Sequence, residues 1–402
     1  MNYLINCQLI PKNQFGFLPS RNSTQAVGAV VSKVCKNLEE KRKSLLLLLD
    51  VEKAFDSVKH KTLLKKLRSV GIRGVTLEWF NSYLVGRSQA VKLDVLSDFL
   101  PVFYGVPQGS VLAPLFLIYT LDLCNLNIEN CDIFTFADDT TILFRSSNWS
   151  SLAALVNNTL SEVILPWFTR NGLAINFCKT VCLPFNPGGR NVVDDGLSEI
   201  KIHSNSCSSN DCNSKCMRLQ VVKEARYLGI ILDSALSWEN HVAYLIPKLK
   251  MVLFSLVNLR RFIPRDALRE VYFALFQSVL GYGIGIFGGA CYSVLNPLIK
   301  LQRQAIKIIL RLPKRYPSEE LYGLLDVPSF YMLHKLDLAR LVPLFLKDFV
   351  FKEVNYNLRG GNLSFVMPVG RLEVIRNNVN FTVIKYFIEL SREERESLFS
   401  TL

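Results

Sequence analysis

Three acidic residues of this chain have the type and placement to hold metal ions: Asp50, Asp138 and Asp139. The last two are adjacent in Phe136-Ala137-Asp138-Asp139, between the apolar runs Ile133 to Ala137 and Thr140 to Phe144. Both runs are rich in β-branched and aromatic residues and read as the strands of a hairpin with two acids at its tip. Like charges that close resist joint ionisation unless a positive charge joins them. A divalent cation with oxygen ligands, magnesium above all, meets that need. An isolated Asp-Asp pair also reads as a solvated turn, so the rest of the chain decides.

Asp50 stands where the run Ser44-Leu45-Leu46-Leu47-Leu48-Leu49 ends and Asp50-Val51-Glu52-Lys53-Ala54-Phe55-Asp56 begins. The leucine run is too short to span a bilayer and reads as a buried strand. A helix follows, with Leu63, Leu64, Leu67 and Val70 on one face. If this strand pairs beside the hairpin, three carboxylates converge. Such a trio holding two magnesium ions suits phosphoryl transfer: one ion activates an attacking hydroxyl and the other steadies a leaving pyrophosphate. Between the acids, Tyr104-Gly105-Val106-Pro107-Gln108-Gly109-Ser110 is a loop punctuated by Gly and Pro. It opens an apolar helix expected from Val111 to about Leu123, in which Pro114 is tolerable only in the first turn. Amides at such a junction can meet a nucleotide or a template backbone. Gly109 permits close approach, and Gln108 offers donor and acceptor. The same loop also reads as the cap of a core helix.

Taken in order, these segments resemble the reverse transcriptase of non-LTR retrotransposons, of the insect jockey-like kind. Gln14-Phe15-Gly16-Phe17 through Arg21-Asn22-Ser23-Thr24 is similar to its fingers segment. Leu49 to Asp56 resembles the first catalytic motif, and Val106 to Pro114 the template- and nucleotide-positioning motif. Phe136 to Asp139 resembles the paired-aspartate motif, and Gly172 to Asn176 with Lys179-Thr180 the next one. Tyr227-Leu228-Gly229, with Asp233 and His241, resembles the primer grip and its continuation. Six motifs in order are far more specific than any one of them, and the resemblance weakens beyond about residue 320.

The resemblance implies roles. Asp50, Asp138 and Asp139 would be catalytic and hold two Mg2+ ions. Phe55 would be an aromatic gate beneath the incoming sugar, favouring deoxynucleotides. Gln108 and Gly109 would contact the nucleotide or template strand, and Lys179 would sit near the triphosphate. Tyr227, Leu228 and Gly229 would grip the primer. Asp56 is expected to cap or orient the following helix. The partners would be an RNA template, a DNA primer and deoxynucleoside triphosphates, with the nucleus as the place of action. The implied fold is α+β, a right-hand polymerase. Residues 1–43 would be partial fingers, 44–240 a palm with an antiparallel sheet and the primer grip, 241–345 a helical thumb, and 346–402 a tail. Within the palm, Asn148 to Arg170 reads as an amphipathic helix with Leu152, Leu155, Val156, Leu160, Val163, Ile164 and Trp167 inward. Two departures stand out. The family's Arg-Pro-Ile-containing fingers segment and its frequent endonuclease domain do not precede Gln14, so an N-terminally truncated element copy is expected. Leu18 stands where many relatives have Arg.

The chain's 47 Lys and Arg against 34 Asp and Glu give a formal charge of +13, which favours a polyanionic partner. Basic clusters occur at Lys41-Arg42-Lys43, at Lys65-Lys66 with Arg68, at Arg260-Arg261 with Arg265, and at Lys307, Arg311, Lys314 and Arg315. Together they could line a duplex-binding groove; each alone reads as a solvated face. Ten dispersed cysteines in a chain with 50% hydrophobic residues exclude a disulfide scaffold. His203, Cys207, Cys212 and Cys216 could hold zinc, yet their spacing matches no zinc module, and a thiol-bearing insertion is expected instead. The start lacks a secretory signal. The stretch from Val271 to Ile299 has no Asp, Glu, Lys or Arg, long enough to span a membrane. Its glycines, Gln277 and Asn296 favour a buried segment, with a loop from Gly281 to Gly289. The expected function is an RNA-directed DNA polymerase. The alternatives are a non-catalytic nucleic-acid-binding remnant and a membrane-associated protein.

Overall fold

Five consecutive leucines can be satisfied in a strand only if both of its faces are covered. In the computed structural model Lys43–Leu49 is the middle strand of a five-stranded sheet. The structure describes residues 2–109, 112, 114–187, 197, 200–202, 217–345, 350–353, 363–366, 379–391 and 394. Ser110, Val111 and Ala113, the thiol cluster His203, Cys207, Cys212 and Cys216, and most of the expected tail lie outside the described residues. The chain divides into two units: Met1–Ala26 with Lys41–Lys223, and Val27–Glu40 with Glu224–Leu402. The hairpin carrying the primer-grip residues therefore falls in the second unit.

In the first unit the middle strand pairs antiparallel with Asp139–Ser146 on one side, from Lys43↔Ser146 to Leu49↔Thr140. On its other side it pairs antiparallel with Val181–Phe185. Cys131–Phe136 closes the hairpin with Asp139–Ser146, and Gln220–Val221 adds a parallel edge strand beside Val181–Phe185. The alternation of side chains decides the packing. Leu45, Leu47 and Leu49 face a core that includes Phe116, Leu117, Leu152, Val156, Leu160 and Trp167. Leu46 is equally buried on the opposite face.

The long amphipathic helix forms as Trp149–Asn171, with the expected apolar positions buried or half-buried. Asn148 caps it, its side chain accepting from Ser151 N–H at 2.8 Å. The helix is not uniform: Leu160–Ile164 is a π-type turn. Pro166 supplies the reason, since it has no N–H for the ordinary backward bond. Gly172, at φ 66°, ends the helix in the left-handed conformation. The helix after the Gly/Pro loop is described over Pro114–Thr120, shorter than expected, with Pro114 as its first residue.

The second unit is largely helical. It contains the hairpin Glu224–Tyr227 and Ile230–Asp233, then helices Glu239–Leu259, Arg265–Val271, Tyr292–Ile309 and Phe330–Phe345. One sequence expectation needs correction here. The segment 281–289 is not simply a loop, because Ile284–Phe287 is a short buried helix. It nests there because Gly283 takes φ 71°, with Ile230 closely packed on it. The uncharged stretch from Val271 runs through short helical segments and into helix Tyr292–Ile309. Among the described residues one helix, Glu239–Leu259, is long and apolar enough to cross a bilayer. It buries His241, Leu245, Leu249 and Leu256 and exposes Met251 and Phe254.

Leu47→Ala should destabilise the chain by roughly 2–5 kcal/mol, because a fully buried strand residue leaves a cavity. Asn148→Ala should cost only about 1 kcal/mol, the worth of one cap. Urea denaturation of the two variants measures both.

Candidate active site

The hairpin tip is a two-residue turn. Phe136 pairs with Asp139, leaving Ala137 and Asp138 as the turn itself. Ala137 takes φ 57°, a left-handed conformation that costs a non-glycine residue on the order of 1–3 kcal/mol unless its surroundings hold it. The ladder ends at Leu49↔Thr140, so Asp50 and Asp139 are the next residue on each chain segment beyond its last pair.

The electrostatics record that crowding. Asp139 is pushed from 3.8 up to about 6, first by desolvation, then by the charges of Asp138 and of Asp50. Asp138 itself is exposed at the tip. Asp138 and Asp50 thus lie near enough for their charges to act on Asp139. Even so, among the described residues no three His, Cys, Asp or Glu side chains form a ready metal centre.

Asp50 is fixed through its backbone. Its N–H donates to Thr180 Oγ1 at 3.4 Å, and its carbonyl accepts from Asn176 N–H at 2.8 Å. Thr180 Oγ1 in turn donates to the Asn176 carbonyl at 2.8 Å. Val51–Glu52 pairs with Ala174–Ile175, extending the same grip. Lys179 Nζ lies 3.9 Å from Asp50 Oδ2, an open ion pair with both side chains in solvent, worth little to stability.

Phe55 is buried, stacked on Phe116 at 4.6 Å and meeting Phe17 edge-on at 6.2 Å. The loop carrying Gln108 is fastened beside it. Val106 N–H donates to the Phe55 carbonyl at 2.9 Å, and Gly105 N–H to Val58 at 2.8 Å. His60 Nε2 donates to the Gly105 carbonyl at 2.8 Å. Gly105 must be glycine: it has φ 94°, and a Cβ there would stand 3.1 Å from the Asp56 Cα. Gln108 and Gly109 are exposed beyond this anchor, Gly109 at φ 73°. Asp56 does not cap the following helix. Lys59 occupies the cap position, without a side-chain bond. Asp56 instead lines a groove of about 240 Å³ with Tyr83, Arg87, Tyr104 and Pro107.

In the second unit, Leu228 (φ 44°) and Gly229 (φ 83°) form the hairpin turn after buried Tyr227. Tyr282 Oη donates to the Leu228 carbonyl at 2.6 Å. Asp233 gathers the N–H groups of Ala235, Ser237 and Trp238, each at 3.0 Å, ahead of helix Glu239–Leu259. His241 is buried, accepts from Ile231 N–H, and is pushed down to about 4 by burial and then by Lys248.

Sequence reasoning missed His60 and the structural part of Thr180. Residues of the basic clusters have partners within the chain. Lys66 pairs with Asp122 at 2.8 Å and lies over Tyr119 and Trp167. Lys307 donates to the carbonyls of Lys314 and Tyr316.

Sheet, acidic turn and anchored loop together define a polymerase fold. The chain belongs to the reverse transcriptase family: residues 1–232 match the family described as Reverse transcriptase (RNA-dependent DNA polymerase). It is similar to the RNA-directed DNA polymerase from mobile element jockey of Drosophila melanogaster, 26% identical over 82% of this chain and 36% of that protein. The jockey protein of Drosophila funebris is 28% identical over 80% of this chain and 34% of its own length. The probable RNA-directed DNA polymerase from transposon X-element of Drosophila melanogaster is 25% identical over 75% and 32%. The chain thus spans about a third of the length of these curated relatives. Among solved structures it is similar to apo telomerase from Candida tropicalis, with a TM-score of 0.43 and 11% identity over 99% of this chain and 59% of that one.

The raised Asp139 pKa means that the folded chain binds this proton more tightly than the unfolded chain. Its ionisation therefore erodes stability as pH rises from about 4 to about 6. Asp139→Asn should flatten that part of the stability–pH curve, read from urea midpoints at pH 4, 5, 6 and 7. Asp138→Asn should bring Asp139 back toward the ordinary carboxylate range, read by carboxyl 13C shifts.

Proposed function

We propose that the chain is an RNA-directed DNA polymerase of a non-LTR retrotransposon, extending a DNA primer along an RNA template with deoxynucleoside triphosphates. The observation that carries this reading is the strand register: the ladder ends at Leu49↔Thr140, so Asp50 and Asp139 are the next residues beyond its last pair, beside the turn that carries Asp138. The donor set fits hard divalent cations: carboxylate oxygens, with Asp139 held at a raised pKa by desolvation and by the charges of Asp138 and Asp50. Asp50 and Asp139 would hold the ions, with exposed Asp138 drawn in to complete the set. Bound magnesium would supply activation of the primer hydroxyl and neutralisation of the leaving pyrophosphate.

The chain's own residues do the positioning. Thr180 and Asn176 hold the Asp50 backbone. Lys179, beside Asp50, would neutralise phosphate charge and hold a proton at Nζ for the leaving group. Gln108 and Gly109 would meet the nucleotide or template from a loop anchored on Phe55 and Val58. Phe55, clamped between Phe17 and Phe116, has little freedom to yield to a ribose 2′-hydroxyl. Tyr227, Leu228 and Gly229 would support the primer strand.

The second reading, a nucleic-acid-binding remnant without turnover, draws on one observation: among the described residues the three acids are not already grouped as a metal centre. Primer extension on poly(rA)/oligo(dT) with Mg2+ separates the two. The polymerase reading expects incorporation that Asp138→Ala lowers by roughly three orders of magnitude. Equal incorporation by the chain and the variant would defeat it, and hybrid binding without incorporation would support the remnant. Phe55→Val should raise ribonucleotide use by about 10–100-fold, measured as the ratio of kcat/KM for the two sugars.

A further inference from the structure

We propose that Gly16, fixed in place by Arg21, positions the Ala137–Asp138 turn and thereby the Asp138 carboxylate; this rests on the reading of Asp138 as a metal ligand. The segment before the first long helix lies along the outer edge of the hairpin. Phe15 N–H donates to the Thr135 carbonyl at 2.9 Å, and Thr135 N–H to the Asn13 carbonyl at 3.0 Å. The chain then runs over the turn itself. A Cβ at Gly16 would stand 2.2 Å from the Ala137 nitrogen and 3.0 Å from its Cα. No side chain fits there, so Gly16 brings backbone directly against the strained peptide.

Two devices hold Gly16. Its N–H donates to Oε1 of buried Gln14 at 2.8 Å. Arg21 Nη1 donates to the carbonyls of Pro11, Lys12 and Gln14, and its guanidinium lies 5.6 Å from the Phe15 ring centre. The left-handed Ala137 is the kind of conformation that persists only where neighbours over-determine it, and Gly16 is that neighbour. Gly16 and Arg21 are thus positioning residues: they touch no reacting group and act through the turn.

The test uses the full chain with Gly16→Ala and, as the milder change, Arg21→Met. Mn2+ binding is followed by EPR of the free ion, folding by circular dichroism melts, and turnover by primer extension on poly(rA)/oligo(dT). Arg21→Met should remain folded, lose Mn2+ affinity by about tenfold and lose kcat by at least as much; Gly16→Ala, which forces the Ala137 backbone to shift, should melt lower and, below its melting temperature, lose more of both. KM for dTTP should stay near the wild-type value. Wild-type Mn2+ affinity and kcat in either folded variant would overturn the inference. So would a lowered melting temperature with unchanged Mn2+ affinity, the mark of a merely structural contact. The Mn2+ comparison decides the matter even if the wild-type chain incorporates no nucleotide. Failure of the wild-type chain to bind Mn2+ would instead remove the metal reading on which the inference stands.

Discussion

The antiparallel register between Lys43–Leu49 and Asp139–Ser146 is the constraint on which the site depends. It brings the acid that follows one strand to the end of the ladder where the acid that begins the next stands. Side chains alternate along a strand, so a slip of one residue would carry Asp50 to the other face of the sheet. Leucine on both faces does not by itself resist that slip; the ladders to Asp139–Ser146 and Val181–Phe185 and the hold of Thr180 and Asn176 on the Asp50 backbone keep the strand in place. Asp138 and Asp50 are thereby kept near enough to act on Asp139.

Around this register, loops are set by backbone approaching backbone. Gly105 lies against Asp56 and Gly16 against Ala137, both at distances where a side chain would collide. Thr180 and Asn176 hold Asp50 by its peptide groups and leave its carboxylate exposed to solvent. The same pattern recurs in the second unit, where Tyr282 fastens the Leu228 carbonyl. Asp138, Gln108 and Gly109 are left exposed at the ends of such anchors, whereas Gly16 and Thr180, which hold the backbone, are buried.

Much of this could be read from the chain alone, and the reasons are local. The leucine run, the hairpin and the amphipathic helix after Asn148 announce themselves by burial pattern and period. The stop in hydrophobicity at Asp50 marks the end of the buried strand. What escaped reading depends on contacts far apart in sequence. The grip of His60 on Gly105 is separated by 45 residues, and that of Thr180 on Asp50 by 130. Asp56 has the type that suits a helix cap, but the helix begins later, at His60. Gly281 to Gly289 reads as a loop because it is rich in glycine. There the small residues admit close packing of a short helix.

The strip of chain at residues 13–16 has a consequence beyond the acidic turn. Cys131–Phe136 is the outermost strand on its side of the sheet, and such a margin offers unpaired peptide groups to any other polypeptide. The bonds from Phe15 and to Asn13 occupy that margin where it adjoins the turn. A shorter product beginning after Leu18 would leave it bare, ready to zip onto another copy, so self-association would overtake such a fragment before its chemistry came into question.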